Sequence, residues 1–183
     1  ILTSRRVIAA GLLLVLVAGA GAFLLRSAST RAPGVITPSP DADWPAYGGD
    51  AGGSRFSSLE QITPQNVRAL RQAWVYSTGE RSQSQSEHLT GSYQATPLMV
   101  EGRLYVSSPF GRVFAVDPVS GEEIWRFDAE MERSHGYAEQ ANRGVSSWLD
   151  TEAPVGAPCR HRIFLGTLDG RMIALDGATG ELC

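Results

Sequence analysis

The fold class this sequence predicts is all-β, a chain of hairpin units stacked as in a propeller or solenoid, and three observations predict it. The first is an internal repeat. Shifted by 59 positions, residues 103–122 (RLYVSSPFGRVFAVDPVSGE) lie over residues 162–181 (RIFLGTLDGRMIALDGATGE) without a gap. Seven of the twenty positions are identical: Arg103/Arg162, Gly111/Gly170, Arg112/Arg171, Ala115/Ala174, Asp117/Asp176, Gly121/Gly180 and Glu122/Glu181. Such a unit cannot bury its own apolar face and has to stack on neighbours. The second is the turn at the centre of the repeat, Asp117-x3-Gly121, followed by Ile124 and Trp125. Asp117 can accept from backbone N–H groups, Gly121 can take the positive φ that closes a hairpin, and Trp125 carries a large apolar ring to a neighbour. The third is composition: twenty Gly and ten Pro punctuate short alternating apolar runs, as in a turn-rich β protein.

Taken in order, the chain opens with nineteen uncharged residues, 7–25 (VIAAGLLLVLVAGAGAFLL), flanked by Arg5, Arg6 and Arg26. As a helix they span about 28 Å, close to the hydrocarbon thickness of a bilayer. Small-residue sites at Ala18-Gly19-Ala20 and Ala20-Gly21-Ala22 allow the rival reading of a cleaved signal peptide, and Ser4-Arg5-Arg6 is a weak twin-arginine match. The apolar run continues past those sites, which favours a retained membrane helix within residues 1–25. Residues 26–42 have the Pro, Ser and Thr content of a solvated tether, so the folded part is expected over 43–183. The first residue is not Met and the chain stops inside the second repeat, so it reads as the N-terminal part of a longer polypeptide.

Within 43–183, Gly48, Gly49, Gly52 and Gly53 permit a tight loop that Trp44, Tyr47 and Phe56 could pin to a core. Thr63-Pro64 reads as a helix N-cap with proline at the first helical position, and Val67, Leu70 and Trp74 supply the apolar face of a short helix running into a strand over 73–77. Residues 78–92 are polar and read as an exposed loop; 95–100 and 103–107 read as strands joined by a turn at Glu101 and Gly102. His88 and His161 lack ligand-spaced partners and read as surface residues. Sixteen basic residues against nineteen acidic ones, unclustered, leave no electrostatic footprint for nucleic acid. In a cytosolic chain Cys159 and Cys183 would stay reduced; behind a membrane segment they read as a disulfide, closing a loop worth about 3 kcal/mol of chain entropy, and so place the folded part in the periplasm.

The residues Asp43-Trp44-x3-Gly48, Arg55-Phe56-Ser57-x-Leu59, Ile62-Thr63-Pro64-x-Asn66-Val67-x2-Leu70 and Trp74 resemble the N-terminal signature of the pyrroloquinoline-quinone (PQQ) dependent dehydrogenases. Ala115-x-Asp117-x3-Gly121-x3-Trp125 resembles the tryptophan-docking motif of the same quinoproteins. With the membrane segment and Asn142-Arg143-Gly144-Val145-Ser146, the likeness is to the membrane-bound glucose/quinate/shikimate branch. The resemblance implies the first blades of an eight-bladed quinoprotein β-propeller at the bacterial inner membrane, facing the periplasm. It also implies PQQ in the channel beside a calcium or magnesium ion, a sugar, polyol or cyclitol substrate, and ubiquinone as the electron acceptor.

Carried over residue by residue, Arg143 matches the arginine that contacts the quinone, a role its guanidinium fork suits. Gln94, before Ala95-Thr96-Pro97-Leu98, stands where many relatives carry a glutamate that hydrogen-bonds PQQ; the amide keeps the hydrogen-bonding capacity and loses the charge. Where relatives place a vicinal disulfide or a histidine on the quinone face, this chain has Tyr137-Ala138-Glu139-Gln140, with His135 out of register; Tyr137 reads as a packing residue, with a substitute stacking partner as the alternative. The resemblance puts the metal ligands and the catalytic aspartate beyond Cys183, so no residue here is assigned as metal ligand or base. The alternative to an enzyme is a non-catalytic propeller of PQQ-like repeats serving as a membrane-anchored scaffold, which would share the repeats and the tryptophans.

Overall fold

The structure is a computed structural model that describes residues 43–80, 91–132, 137 and 139–183. The expected membrane helix and tether (residues 1–42), His88 and His135 lie outside the described residues. Among the described residues no helix is long and apolar enough to cross a membrane.

The repeat folds as two antiparallel meanders. In the first, β2 (Leu98–Val100), β3 (Arg103–Ser107), β4 (Arg112–Val116) and β5 (Glu123–Asp128) pair in sequence order. In the second, β7 (Ser146–Leu149), β8 (His161–Gly166) and β9 (Met172–Asp176) do the same. A bridge from Leu175 to Leu182 stands where Val116 meets Glu123 in the first sheet. Two short strands, β1 (Ser92–Tyr93) and β6 (Ala141–Asn142), pair in parallel ahead of the two sheets.

The 59-residue shift holds at the level of single hydrogen bonds. Asp117 Oδ1 accepts from the N–H groups of Val119 and Ser120, and Asp176 Oδ1 from those of Ala178 and Thr179. The Gly121 N–H donates to the Asp117 carbonyl at 2.9 Å, and the Gly180 N–H to that of Asp176 at 2.8 Å. These turns hold both carboxyls below the usual range, that of Asp117 through the N–H groups of Ser120 and Val119. For Asp176, burial pushes upward and the N–H groups of Cys159, Ala178 and Thr179 outweigh it.

One apolar cluster joins the sheets. Leu98, Tyr105, Val113, Ala115 and Trp125 of the first pack with Ile163, Leu165, Ile173 and Leu175 of the second. Trp125 Nε1 donates to the Gly177 carbonyl at 3.1 Å, and its ring lies over Gly180, where a Cβ would come within 2.6 Å of it. Trp74 repeats this contact one unit earlier: its Nε1 donates to the Pro118 carbonyl at 3.0 Å and its ring lies over Gly121. Only glycine fits under either ring, and both glycines sit at positive φ, +75° and +76°. The two units are therefore stacked neighbours, as the repeat requires.

Five expectations are corrected. The short helix is a single 3-10 turn, Val67–Ala69, with no buried residue; Asn66 takes the N-cap place and Thr63 makes no side-chain cap, because an apolar helix face needs a surface to bury and none meets it here. Residues 73–77 form no strand, since no ladder partner lies beside them among the described residues; the docking of Trp74 holds them instead. The 78–92 loop is structured at both ends: Ser92 belongs to β1, and Glu80 is buried, accepting from Ser108 Oγ at 2.8 Å with Arg112 Nη1 at 3.5 Å. Trp44 does cover the glycine loop, packing on Gly49 and bridging to Met99, but Tyr47 and Phe56 are exposed. His161 is no surface residue either; it is 6% exposed, with its ring edge-on to Tyr105 and Nε2 at 2.9 Å from Ser147 Oγ.

Cys159 and Cys183 form the expected disulfide, with Cα atoms 5.9 Å apart. The Cys159 N–H donates to Asp176 Oδ2 and the Cys183 N–H to the Ala174 carbonyl, so the bridge fastens the entry and the exit of the β8–β9 hairpin to β9.

Candidate functional site

The parallel pair β1–β6 builds the site. Tyr93 lies opposite Asn142, so the next residue on each strand, Gln94 and Arg143, leaves the pair at the same level. Each segment then runs into the first strand of its own sheet, β2 or β7, and the Thr96 N–H donates to the Arg143 carbonyl at 3.4 Å. Leu98 pairs with Tyr105 as Ser146 pairs with Phe164, which makes these two approaches equivalent places in adjacent units. In a stack of such sheets about an axis the first strands form the inner wall.

Asn142 ties this corner together. Its Oδ1 accepts from Ser107 Oγ at 2.6 Å and from the Gly144 N–H at 2.9 Å, while Nδ2 donates to the Gly166 carbonyl at 3.0 Å. One side chain thus connects the ends of β3 and β8 to the Arg143–Gly144 turn. Gly144 sits at φ +127°, and a Cβ there would come within 3.2 Å of the Thr96 carbonyl oxygen, so the turn requires glycine.

Gln94 and Arg143, the two residues singled out from sequence, line one open cleft of about 410 Å³ with Tyr47, Gly144, Val145 and Ser146. Arg143 is 78% exposed there. Arg55 Nη2 donates to the Tyr47 phenol oxygen at 3.3 Å, which leaves the phenol proton to donate elsewhere. Sequence reasoning did not assign Glu139. Its Oε1 accepts from Gln94 Nε2, and its Oε2 lies 3.7 Å from Arg143 Nη2. The i,i+4 spacing of Glu139 and Arg143 was visible in the sequence; the bond to Gln94, 45 positions away, depends on the β1–β6 pairing and was not.

The cleft offers a guanidinium fork, two hydroxyls and an amide carbonyl. That set suits a planar ligand rich in carboxylate and carbonyl oxygens. A quinone of PQQ's kind fits it: the guanidinium and the hydroxyls would meet its oxygens, and Gln94 Oε1 would accept from a ring N–H. No group of three or more His, Cys, Asp or Glu that could hold a metal ion occurs among the described residues.

A family model described as the beta-propeller domain of PQQ glucose/ethanol/alcohol dehydrogenases matches residues 44–183. The chain is 39% identical over 162 residues to the quinoprotein glucose dehydrogenase of Escherichia coli (strain K12), covering 86% of this chain and 20% of that protein. It is 34% identical over 153 residues to a quinate/shikimate dehydrogenase (quinone) of Acinetobacter baylyi, covering 77% and 19%. Among solved structures, quinohemoprotein alcohol dehydrogenase from Comamonas testosteroni superposes with a TM-score of 0.61 at 35% identity, over 78% of this chain and 19% of that one. The chain thus spans about a fifth of the length of the relatives it matches.

Proposed function

From a chain that belongs, over residues 44–183, to the β-propeller family of PQQ-dependent dehydrogenases, we infer the first blades of a membrane-bound quinoprotein dehydrogenase. Its substrate is a sugar, polyol or cyclitol hydroxyl, of the glucose or quinate type. The observation that carries the reading is that Gln94 and Arg143 line one cleft where the approaches to β2 and β7 run side by side. Relatives named for glucose, glycerol and quinate/shikimate support the substrate class.

When bound, PQQ supplies a two-electron acceptor for the hydride equivalent of the substrate. The work of this chain is to hold and orient. Arg143 neutralises anionic oxygens at the rim, Gln94 adds a directed hydrogen bond, and Tyr47 and Ser146 offer hydroxyl donors beside them. The divalent cation and the aspartate base would come from the polypeptide beyond Cys183. Residues 7–25 would anchor the enzyme in the inner membrane, beside ubiquinone as acceptor. The Cys159–Cys183 disulfide supports an oxidising compartment, the periplasm.

The test is dye reduction by the full-length protein reconstituted with PQQ, against a panel of sugars and cyclitols, with and without calcium. Turnover of at least one such substrate that depends on both PQQ and calcium is expected. Stoichiometric folding with no PQQ binding would leave the scaffold alternative standing. Arg143→Ala should weaken PQQ binding about tenfold or more, since it removes a charge-assisted contact. Fluorescence titration of the full-length variant checks this, and unchanged affinity would take Arg143 out of the site.

A further inference from the structure

Resting on that reading of the cleft, we propose that Glu139 is a positioning residue for the cofactor: its carboxylate sets which way the Gln94 amide faces and draws the Arg143 guanidinium alongside. A carboxylate only accepts, so the amide atom of Gln94 turned toward Glu139 has to be nitrogen. Ser92 Oγ lies on the same nitrogen at 3.3 Å and steadies it. Gln94 Oε1 is then the atom left to accept from a ligand. The other carboxylate oxygen, 3.7 Å from Arg143 Nη2, limits the arc that an otherwise exposed arginine can sweep. Without Glu139 the amide could rotate by 180° and present a donor, and the guanidinium would lose its only ion-pair partner among the described residues.

Charge and positioning make opposite predictions here. PQQ is anionic, and a carboxylate beside its cleft repels it, so Glu139→Gln should tighten binding if the charge were all that mattered. If Glu139 positions its neighbours, the same substitution weakens binding, because the ordering of Gln94 and Arg143 is lost.

The experiment is a PQQ titration of the full-length apoprotein by tryptophan fluorescence quenching. It compares wild type, Glu139→Gln, Gln94→Ala and the double variant. Expected are a Kd about tenfold higher for Glu139→Gln, and a change of about threefold or less for the same substitution in the Gln94→Ala background. Binding by Glu139→Gln as tight as wild type or tighter overturns the proposal. Equal weakening in both backgrounds overturns it too, since a general folding defect would act in that way. A wild-type protein that binds no PQQ overturns the functional reading beneath it, a different result from either.

Discussion

At the scale of single residues, His161 shows what burial does to a side chain that sequence pattern placed at the surface. It is packed between Tyr105, Ser147 and Gly177, with Glu101, Arg103, Arg160 and Asp176 as the charged groups facing it. Burial lowers its pKa below 6.5, and Glu101 opposes this only in part. The folded state therefore binds its proton less readily than the unfolded chain. Stability should be full above the unfolded pKa and fall as the pH drops through about 6.5 toward the lower folded value. Melting temperatures of the full-length protein between about pH 7.5 and pH 5 should decline more steeply for wild type than for His161→Gln. Parallel declines would mean that the histidine is not buried as described. Gly180 gives a second residue-scale prediction. Alanine there must accept φ +76° and a Cβ within 2.6 Å of the Trp125 ring, so Gly180→Ala should cost about 1–3 kcal/mol in urea unfolding. A change under about 0.5 kcal/mol would show that the tryptophan does not rest there.

At the scale of elements, the hairpins were legible and the connections between them were not. The Asp-x3-Gly turns, the Glu101–Gly102 turn and β3 lie where local chemistry put them, because each depends on residues within a few positions. The same chemistry overreached at residues 63–77, where a helix and a strand could form only against surfaces that local sequence does not supply. It also missed β1 and β6, two-residue strands with no alternation to read, whose parallel pairing joins segments 49 positions apart. Yet that pairing brings Gln94, Glu139 and Arg143 together. The disulfide belongs to this scale as well. Cys159→Ser with Cys183→Ser should destabilise the second unit by about 3 kcal/mol, the entropy of the loop that it closes. Hydrogen exchange of β8 and β9 in the full-length protein would show the loss locally; unchanged protection would show the bridge to be dispensable there.

At the scale of the whole molecule, the repeat predicts what the far face of the second sheet is for. Val113 is fully buried against the second sheet, while its counterpart one repeat later, Met172, is 74% exposed. The template position is the same, but among the described residues no third sheet packs on Met172. Trp74 stands in the mirror situation, docked on the first unit as Trp125 is docked on the second, yet lying on no sheet of its own. A further unit built to this template would cover Met172. Met172→Asp should then lower the melting temperature of the full-length protein by several degrees, as burial of an unpaired carboxylate does and an exposed substitution does not. A shift within error would mean that this face meets water in the complete protein.

The sequence by itself determined the repeat, its turns and the docking of Trp125, because each is a matter of local geometry or of spacing copied from one unit to the next; Gln94 and Arg143 were singled out by the family resemblance, and the cysteine pair by the membrane segment ahead of it. Tertiary structure alone decided that His161 and Glu80 are buried, that residues 63–77 hold a single 3-10 turn and no strand, and that Glu139 stands between Gln94 and Arg143. Those outcomes depend on which distant surfaces meet, and contact between residues far apart in sequence leaves no period or motif in the chain to read.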